Sequence, residues 1–207
     1  MSGPRRSGGS WRDRQERDPY VKKARAEGWR SRAVYKLEQI NDKERLLFPG
    51  MQVVDLGSAP GSWSQYVTEK LDGRCRIVAV DLLEMDALPS VEFIQGDFRE
   101  DAVLDEITAA LGDSRADLVM SDMAPNISGN RAIDQPRSMY LVELALDLCE
   151  RVLKQGGDFV CKLFQGEGTD AFIALARQRF ERVRVIKPKA SRAGSREVYL
   201  VARNQRI

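Results

Sequence analysis

The 207-residue sequence contains no histidine and only three cysteines. Histidine is the side chain most often used as a general base and as a metal ligand, so acid–base chemistry here must use Lys, Asp, Glu, Tyr or Cys. Cys75, Cys149 and Cys161 are scattered and odd in number. This pattern predicts buried thiols in a reducing compartment, not disulfides or a metal cluster. We therefore expect no metal site.

Long apolar stretches are also missing from the sequence. No run reaches the roughly 18 apolar residues that a membrane-spanning helix needs, and the segment Met1–Arg6 has no apolar signal core. We expect a cytoplasmic protein with no membrane association. Hydrophobic residues make up 43% of the chain, which is ample material for the core of one domain.

The net charge of +2 conceals an uneven distribution of charge along the chain. Residues 1–36 hold eleven Lys or Arg and four acids, and the remainder holds 22 basic and 27 acidic residues. A basic segment on an acidic body predicts a polyanionic partner, most simply nucleic acid, although a solvated tail is the alternative. Trp11, Tyr20 and Trp29 lie among the basic residues and add stacking surface, which favours RNA.

Residues 1–18 predict a basic, flexible arm, and residues 19–207 predict a single domain. Within that domain, Asp18-Pro19 and Gly28 bound a first helix, and Ser31 caps a second that runs to about Asn41. Strand and helix patterns then alternate, which predicts an α/β fold with a mostly parallel sheet. The last two strands have no helix between them and should pair antiparallel. The predicted strands are 52–56, 76–80, 91–95, 117–121, 157–163, 182–187 and 197–202, with helices at 62–71, 100–111, 136–153 and 169–180.

The stretch Val53–Trp63 is the centre of the functional prediction. Two β-branched residues lead into Asp55, a loop bracketed by Gly57 and Gly61 follows, and a helix-compatible pattern begins near Trp63. The glycines permit positive φ and close backbone approach, and the N-terminus of the helix presents free N–H groups to a ligand. This predicts a nucleotide-like cofactor, although an ordinary β–α turn has the same pattern and the spacing is not G-x-G-x-x-G.

Ionisable residues follow the ends of five successive predicted strands. Since ligands bind at the carboxyl ends of the strands in open α/β sheets, these residues predict a binding edge. Asp81, which follows the second strand, lies 20 residues after Gly61, where a carboxylate can bind a ribose diol. Asp97, which follows the third strand, can accept a hydrogen bond from an adenine amino group. Both assignments suit NAD as well as an adenosyl cofactor, and Trp63 suits either packing or a cofactor wall. The five residues are Asp55, Asp81, Asp97, Asp122 and Lys162.

Lys162 lies inside the apolar run of the fifth predicted strand. The carboxyl end of this strand is expected at the same edge of the sheet as Asp122, which follows the fourth strand. An amine loses its proton more readily when it is buried or lies near a second cation. Lys36 is a candidate for that cation, and Glu197 is a candidate for orienting the amine. A buried salt bridge that only holds the strands together is the alternative.

Five blocks of this sequence, in order, resemble the FtsJ family of ribosomal RNA 2′-O-ribose methyltransferases, which use S-adenosylmethionine. The resemblance covers nearly all of the chain after about residue 19, and the basic arm is its least matched part. One departure is Ser62, where the family pattern has a second glycine. The blocks are Ser31–Leu37 (SRAVYKL), Asp55–Gln65 (DLGSAPGSWSQ), Ser121–Asn126 (SDMAPN), Lys162–Gly166 (KLFQG), and Lys187–Arg192 (KPKASR) with Ser195, Glu197 and Tyr199.

The resemblance implies a Rossmann-like fold, with a seven-stranded sheet whose last strand is antiparallel and helices on both faces. It places the family's catalytic Lys-Asp-Lys-Glu set on Lys36, Asp122, Lys162 and Glu197. It places cofactor contacts on the glycine loop, which holds Gly57, and on Gly61, Trp63, Asp81, Asp97 and Asp122.

The implied activity is transfer of a methyl group from S-adenosylmethionine to the ribose 2′-hydroxyl of a uridine in 23S RNA of the large ribosomal subunit. Lys162 would be the general base or would orient the hydroxyl, and the protein would act as a monomer. The alternatives are the same chemistry on transfer RNA or a messenger RNA cap, an NAD-dependent dehydrogenase, and a non-catalytic RNA-binding module. The predicted RNA-docking face comprises the helices of residues 19–41 with Arg30, Arg32, Lys36, Arg192 and Arg196.

Overall fold

The computed structural model describes residues 18–206, so the predicted arm lies almost wholly outside the described residues. Helices and strands alternate along most of this range, as the apolar periodicity predicts. The helices are α1 (Pro19–Ala26), α2 (Val34–Glu44), α3 (Ser62–Lys70), α4 (Asp101–Leu111), α5 (Arg131–Val152) and α6 (Thr169–Arg179). The strands are β1 (Met51–Leu56), β2 (Cys75–Asp81), β3 (Val91–Gln95), β4 (Ala116–Ser121), β5 (Leu153–Phe164), β6 (Phe180–Ile186) and β7 (Glu197–Gln205).

The seven strands form one sheet in the order β3-β2-β1-β4-β5-β7-β6. Strand β1 lies between β2 and β4 and is parallel to both, while β7 is antiparallel to β5 and β6. The order reverses between β1 and β4, which is the place where open α/β sheets bind their ligands. This topology confirms the predicted fold, including the antiparallel last strand.

The sheet is buried on both faces because its strands carry apolar side chains in both directions. Val54 and Leu56 of β1 point into a core that α4, α5 and α6 cover, whereas Val53 points into a second core beneath α1, α2 and α3. Lys162 follows Val160 by two residues on β5, and Val160 belongs to the second core. Alternation along the strand therefore directs the lysine towards the face that carries α2.

The N-terminal halves of two helices differ from the prediction. Helix α2 begins at Val34, three residues after Ser31, whose hydroxyl accepts the N–H of Ala33 at 3.2 Å in the preceding turn. Helix α5 begins at Arg131, where the Asn130 side chain caps it by accepting the N–H of Ala132 at 3.1 Å. The prediction started this helix at Pro136, which instead lies inside it because an asparagine cap precedes it by six residues.

Strand β5 also begins earlier than predicted, at Leu153 directly after α5. The segment Lys154–Gly157 bulges between the pairs Ala116–Leu153 and Leu118–Asp158, and Gly156 has a φ of 77°. A left-handed residue at this point is well suited to glycine, which lacks a Cβ. The two glycines therefore allow a bulge within the strand, where the sequence pattern indicated the end of a helix.

The cysteines of the chain are free thiols. Cys149 and Cys161 are buried, and burial raises the pKa of each thiol well above its ordinary value. Across residues 18–206, no helix combines the length and the apolar character needed to cross a membrane.

Candidate active site

The edge formed by the carboxyl ends of β1, β4 and β5 brings together four of the predicted residues. Lys162 lies on β5 directly opposite Tyr199 of β7, and Phe164 lies opposite Glu197. Asp122 follows the last residue of β4. Lys36, on the first turn of α2, reaches the same place from above the second core. Three strands and one helix therefore converge on a single point.

Ion pairs link these four side chains into one chain of contacts. Lys162 Nζ lies 3.2 Å from Asp122 Oδ1 and also donates to the Asp122 main-chain carbonyl. Lys36 Nζ lies 2.9 Å from Glu197 Oε1 and 3.7 Å from Asp122 Oδ1. Lys162 is 8% exposed and Asp122 is 19% exposed, so the pair sits at the boundary between the core and solvent.

Tyr199 and Ser191 complete this cluster, and the sequence reasoning assigned a role to neither of them. The Tyr199 hydroxyl lies 2.5 Å from Asp122 Oδ1 and 3.3 Å from Glu197 Oε1, and its single proton can serve one carboxylate at a time. Ser191 donates to Glu197 Oε1 at 2.8 Å. The available signal for Tyr199 was its position two residues after Glu197, which places both side chains on one face of a strand.

The electrostatics of the cluster favour an ionised Asp122. Burial alone would raise the pKa of Asp122, but the charges of Lys162 and Lys36 and the Tyr199 hydrogen bond outweigh it and hold the pKa below its ordinary value. Burial raises the pKa of Tyr199 well above its usual range, and the nearby charges of Asp122 and Glu197 add to that rise. The tyrosine is therefore a hydrogen-bond donor here and not a base.

The three side chains that approach the Asp122 carboxylate all do so at one oxygen. Lys36, Lys162 and Tyr199 each approach Oδ1, and within residues 18–206 Oδ2 receives no hydrogen bond. A carboxylate can accept about four hydrogen bonds through its two oxygens. Asp122 therefore retains the capacity to bind a further donor, such as the amino group of a cofactor.

The loop from β1 to α3 has the conformation that the glycine pattern predicts. Gly57 has a φ of 69° and Gly61, at the start of α3, has a φ of 99°. A Cβ on Gly57 would lie 2.2 Å from the Met123 side chain, and one on Gly61 would lie 2.7 Å from Arg30 Nη1. Both positions require glycine for their backbone conformation and for the space around them.

Asp81 at the end of β2 holds this loop in place. Its carboxylate accepts the main-chain N–H of Ala59 and that of Leu83, each at 2.9 Å. Gly57 donates its N–H to the Val80 carbonyl at 2.8 Å. The end of β2 is thereby fixed against the glycine loop, and Asp81 lies where the sequence predicted a partner for a ribose diol.

The side chains of Trp63 and Asp97 are engaged in contacts that the sequence did not predict. Trp63 is 3% exposed, donates its indole N–H to the Ala33 carbonyl at 2.9 Å and packs on Tyr199 at a centroid distance of 5.8 Å. Asp97 forms an ion pair with Arg99, and the hydrogen bonds from Arg99 lower the pKa of Asp97. Trp63 therefore stabilises the link between α2 and β7, while Asp97 lies just after the carboxyl end of β3 beside the cation of Arg99.

Asp55 lies inside the sheet beneath the glycine loop and is 1% exposed. Burial raises the pKa of Asp55 to about 7, the hydrogen bond from Ser64 at 2.7 Å opposes this rise, and the charges of Asp122 and Asp81 add to it. Asp55, Asp81 and Asp122 thus lie close enough for their charges to repel one another, which favours the protonated form of the buried Asp55.

The guanidinium groups of Arg30 and Arg32 bind main-chain carbonyls. Arg30 donates to Pro60 O at 3.0 Å, Asp86 O at 2.8 Å and Ala87 O at 2.9 Å, so it joins the glycine loop to the segment after β2. Arg32 pairs with the carboxylate of Asp18 and donates to the Ala190 carbonyl. Each arginine therefore connects the N-terminal helices to a loop at the site.

Arg192 and Arg196 lie on the other side of the cluster, around the loop between β6 and β7. Arg192 is 50% exposed and its Nε lies 3.7 Å from Asp18 Oδ2. Arg196 donates to Gln165 O at 2.9 Å and to Gln135 Oε1 at 3.3 Å. Gln135, which the sequence did not single out, also donates to the carbonyls of Phe164 and Glu167, both at 3.0 Å, and so holds the turn that follows Lys162.

In the range 18–206, no three His, Cys, Asp or Glu side chains are placed to share a metal ion. The two lysines of the cluster carry the positive charge that faces its carboxylates.

Comparisons with known proteins agree with this architecture. A family model described as FtsJ-like methyltransferase matches residues 29–205. A ribosomal RNA large subunit methyltransferase E of Pseudomonas aeruginosa is 59% identical over 189 residues, which cover 91% of each chain. The protein of the same name from Pseudomonas fluorescens is 56% identical over 192 residues, which cover 93% of this chain and 92% of the relative.

Solved structures show the same fold. A ribosomal RNA methyltransferase from Plasmodium falciparum superposes with a TM-score of 0.75 and 31% identity, covering 86% of this chain and 98% of the other. The MycE methyltransferase of mycinamycin biosynthesis shares the fold with a TM-score of 0.56 at 13% identity. With a family model that spans residues 29–205 and relatives more than half identical over nine-tenths of its length, this chain belongs to the FtsJ-like methyltransferase family.

Proposed function

We propose that this protein transfers a methyl group from S-adenosylmethionine to the ribose 2′-hydroxyl of a uridine in 23S RNA of the large ribosomal subunit. The observation that carries the proposal is the connected cluster of Lys36, Asp122, Lys162 and Glu197 at the carboxyl edge of the sheet. The relatives named for ribosomal RNA of the large subunit favour this substrate over transfer RNA or a messenger RNA cap.

The residues around the glycine loop fit S-adenosylmethionine. Gly57 and Gly61 supply the positive φ angles that turn the loop, and the N-terminus of α3 lies at its end. Asp81 and Asp97 lie at the ends of β2 and β3, where they can meet the ribose and the adenine. Asp122 has a carboxylate oxygen available for the amino group, and its negative charge suits a cationic donor. The Trp63 ring, which follows the loop, joins the start of α2 to Tyr199 of β7.

When it is bound, the cofactor supplies an electrophilic methyl group. The protein must hold the 2′-hydroxyl in line with that methyl and remove the hydroxyl proton. In our proposal Lys162 accepts the hydroxyl proton or aims the oxygen lone pair at the methyl group. Asp122 orients Lys162, and Lys36 steers the ribose-phosphate through its positive charge. Glu197 fixes Lys36, so its loss should have the smallest effect.

The RNA-docking face is the remaining part of the proposal. Arg192 is half-exposed beside Lys36, and Arg196 lies over the turn that follows Lys162. These cations suit phosphate groups near the acceptor ribose. Arg30 and Arg32 support the same face from the N-terminal helices, where their main-chain contacts fix the two loops. We expect the protein to act as a monomer in the cytoplasm, where ribosomal subunits assemble.

The substrate is tested by supplying labelled S-adenosylmethionine with intact large ribosomal subunits, with naked large-subunit RNA and with transfer RNA. The labelled nucleotide is then mapped. Label on the 2′-oxygen of one uridine in large-subunit RNA is the expected result. Label confined to transfer RNA would contradict the substrate and keep the chemistry. Absence of label from every RNA, with the cofactor bound, would contradict the enzymatic function.

The role of Lys162 is tested by Lys162→Met, which keeps most of the apolar stem and removes the amine. General acid–base groups typically contribute about 10²- to 10⁴-fold to a rate, and we expect a loss of at least that size in kcat. Cofactor affinity, measured by calorimetry, should stay within a few-fold of the unaltered protein. Lys70→Met, at the exposed far end of α3, is the matched control. Full turnover by Lys162→Met would contradict the assignment.

A further inference from the structure

A cleft of about 320 Å³ opens beside the catalytic cluster, between the start of α2 and the loop from β6 to β7. Lys36 and Glu197 line one part of it, and the rest is lined by Ser31, Arg32, Ala33, Arg192 and Ser195. The cleft is therefore continuous with the residues that would meet the acceptor ribose.

Hydrogen-bond donors predominate among the side chains around this cleft. Arg192 is 50% exposed and has one carboxylate neighbour, Asp18, at 3.7 Å. The Ser195 hydroxyl accepts the N–H of Glu197 at 3.0 Å, and within residues 18–206 no acceptor takes its own proton. The hydroxyls of Ser31 and Ser62 share one hydrogen bond of 2.6 Å, which leaves a second proton to donate. Cations and hydroxyl donors together are the usual partners of a phosphate.

A carboxylate of the protein, that of Asp18, lies next to this cleft and contacts two of the arginines that line it. Asp18 Oδ2 pairs with Arg32 and lies 3.7 Å from Arg192. The same carboxylate caps α1 by accepting the Tyr20 N–H at 3.0 Å. Arg192 is held by the weaker of the two pairings and is the more exposed of the two arginines, so it can turn from Asp18 towards another anion.

We propose that this cleft is the binding site for the phosphate on the 3′ side of the methylated ribose, with Arg192 and the Ser195 hydroxyl as its ligands. This inference rests on the proposed function, because it takes the acceptor to be a ribose in RNA. In a nucleotide the 3′-phosphate is adjacent to the 2′-hydroxyl, so an acceptor hydroxyl at Lys162 brings that phosphate towards the neighbouring Lys36. Asp18 competes for Arg192 until the phosphate arrives.

The test replaces the 3′-phosphate of the mapped acceptor nucleotide by an uncharged methylphosphonate, in the RNA that the unaltered protein methylates. Removing one charged hydrogen bond typically lowers affinity about tenfold or more. We expect the neutral linkage to raise KM by about that factor, with kcat changed much less. Arg192→Gln should show a similar rise on normal RNA and no further rise on the neutral linkage.

Two results would overturn the inference. One is an unchanged KM for the unaltered protein on the 3′-methylphosphonate RNA, especially if a 5′-methylphosphonate raises KM instead. The other is a further rise in the KM of Arg192→Gln on the 3′-methylphosphonate RNA, by the full factor measured for the unaltered protein. Such independent effects would mean that Arg192 and the phosphate do not meet. Arg151→Gln, at the exposed C-terminal end of α5, makes the same charge change away from the site and should leave KM unaltered.

Asp18→Asn gives an independent test with the opposite sign. Asparagine caps helices as well as aspartate does, so α1 keeps its cap while the competing charge is removed. We expect a lower KM for RNA, whereas a purely structural role for Asp18 predicts an equal or higher one. A thermal melt of each variant checks that it is folded. Transfer by the unaltered protein to normal RNA tests the proposed function separately, so failure of this inference is distinguishable from failure of that one.

Discussion

The buried carboxyl of Asp55 predicts an unusual dependence of stability on pH. Burial raises the pKa of Asp55 to about 7 in the folded protein from an ordinary value of 3.8. Well below pH 4 the group is protonated in both states and has no effect. As the pH rises from about 4 to 7 the unfolded chain loses its proton first, which favours unfolding. Asp55 therefore destabilises the fold progressively across this window, and its full cost persists above pH 7.

The size of the effect follows from the difference between the two pKa values. Each pKa unit corresponds to about 1.4 kcal/mol, so a difference of about three units amounts to about 4 kcal/mol. Asp55→Asn removes the titration and keeps an oxygen that can accept the Ser64 hydroxyl. The unpaired amide N–H of the asparagine adds a cost, but that cost does not vary with pH.

Urea unfolding of both proteins at several pH values between 4 and 8, followed by tryptophan fluorescence, measures the effect. The free energy of unfolding of the unaltered protein should fall by about 4 kcal/mol relative to Asp55→Asn across this range. Asp113 is an exposed residue between α4 and β4. The free energy of unfolding of the control Asp113→Asn should vary with pH in the same way as that of the unaltered protein. A constant difference between Asp55→Asn and the unaltered protein would refute the reasoning, because it would mean that Asp55 titrates alike in both states.

Three further substitutions test other parts of the site. Tyr199→Phe removes the donor 2.5 Å from Asp122 Oδ1. The pKa of Asp122 should therefore rise, and kcat should fall about tenfold. A plot of kcat against pH whose low-pH limb keeps the position found for the unaltered protein would contradict this. Gly61→Ala places a Cβ 2.7 Å from Arg30 Nη1 at a φ of 99°, and calorimetry should show cofactor affinity lowered by about tenfold. Gln135→Ala frees the turn after β5, which should raise KM for RNA and leave cofactor affinity unaltered; an unaltered KM would show that Arg196 suffices to hold the turn.

The sheet and the grouping of the cluster were predictable because each depends on short-range patterns and one general rule. Apolar runs separated by helical periodicity fix the strands, and parallel strands bring their carboxyl ends to one edge. Asp122 and Lys162 each end such a run, so their proximity follows without any knowledge of the packing. Their catalytic roles stay predictions that the variants above test.

The contacts of Arg30, Trp63 and Gln135 were beyond sequence reasoning because their partners are main-chain carbonyls far along the chain. Arg30 binds residues 30 to 57 positions away, and Gln135 binds the turn after β5, 29 and 32 positions away. A carbonyl is present at every residue, so a sequence has no feature that marks which one an arginine or a glutamine will bind. Such contacts are set by the packing of whole elements.

The geometry also explains how a site without histidine can join two substrates. Lys36 on α2, Lys162 on β5 and Tyr199 on β7 all approach the same oxygen of Asp122. Helix α2 and the loop before β7 border the cleft that we propose for an RNA phosphate, while Asp122 itself leaves β4 next to the glycine loop of β1. A displacement at the cleft or at the glycine loop therefore changes the contacts of the same carboxylate, that of Asp122. In the proposed transfer, a shared anchor of this kind would help to hold the two bound groups in line, and such placement is a large part of catalysis in general.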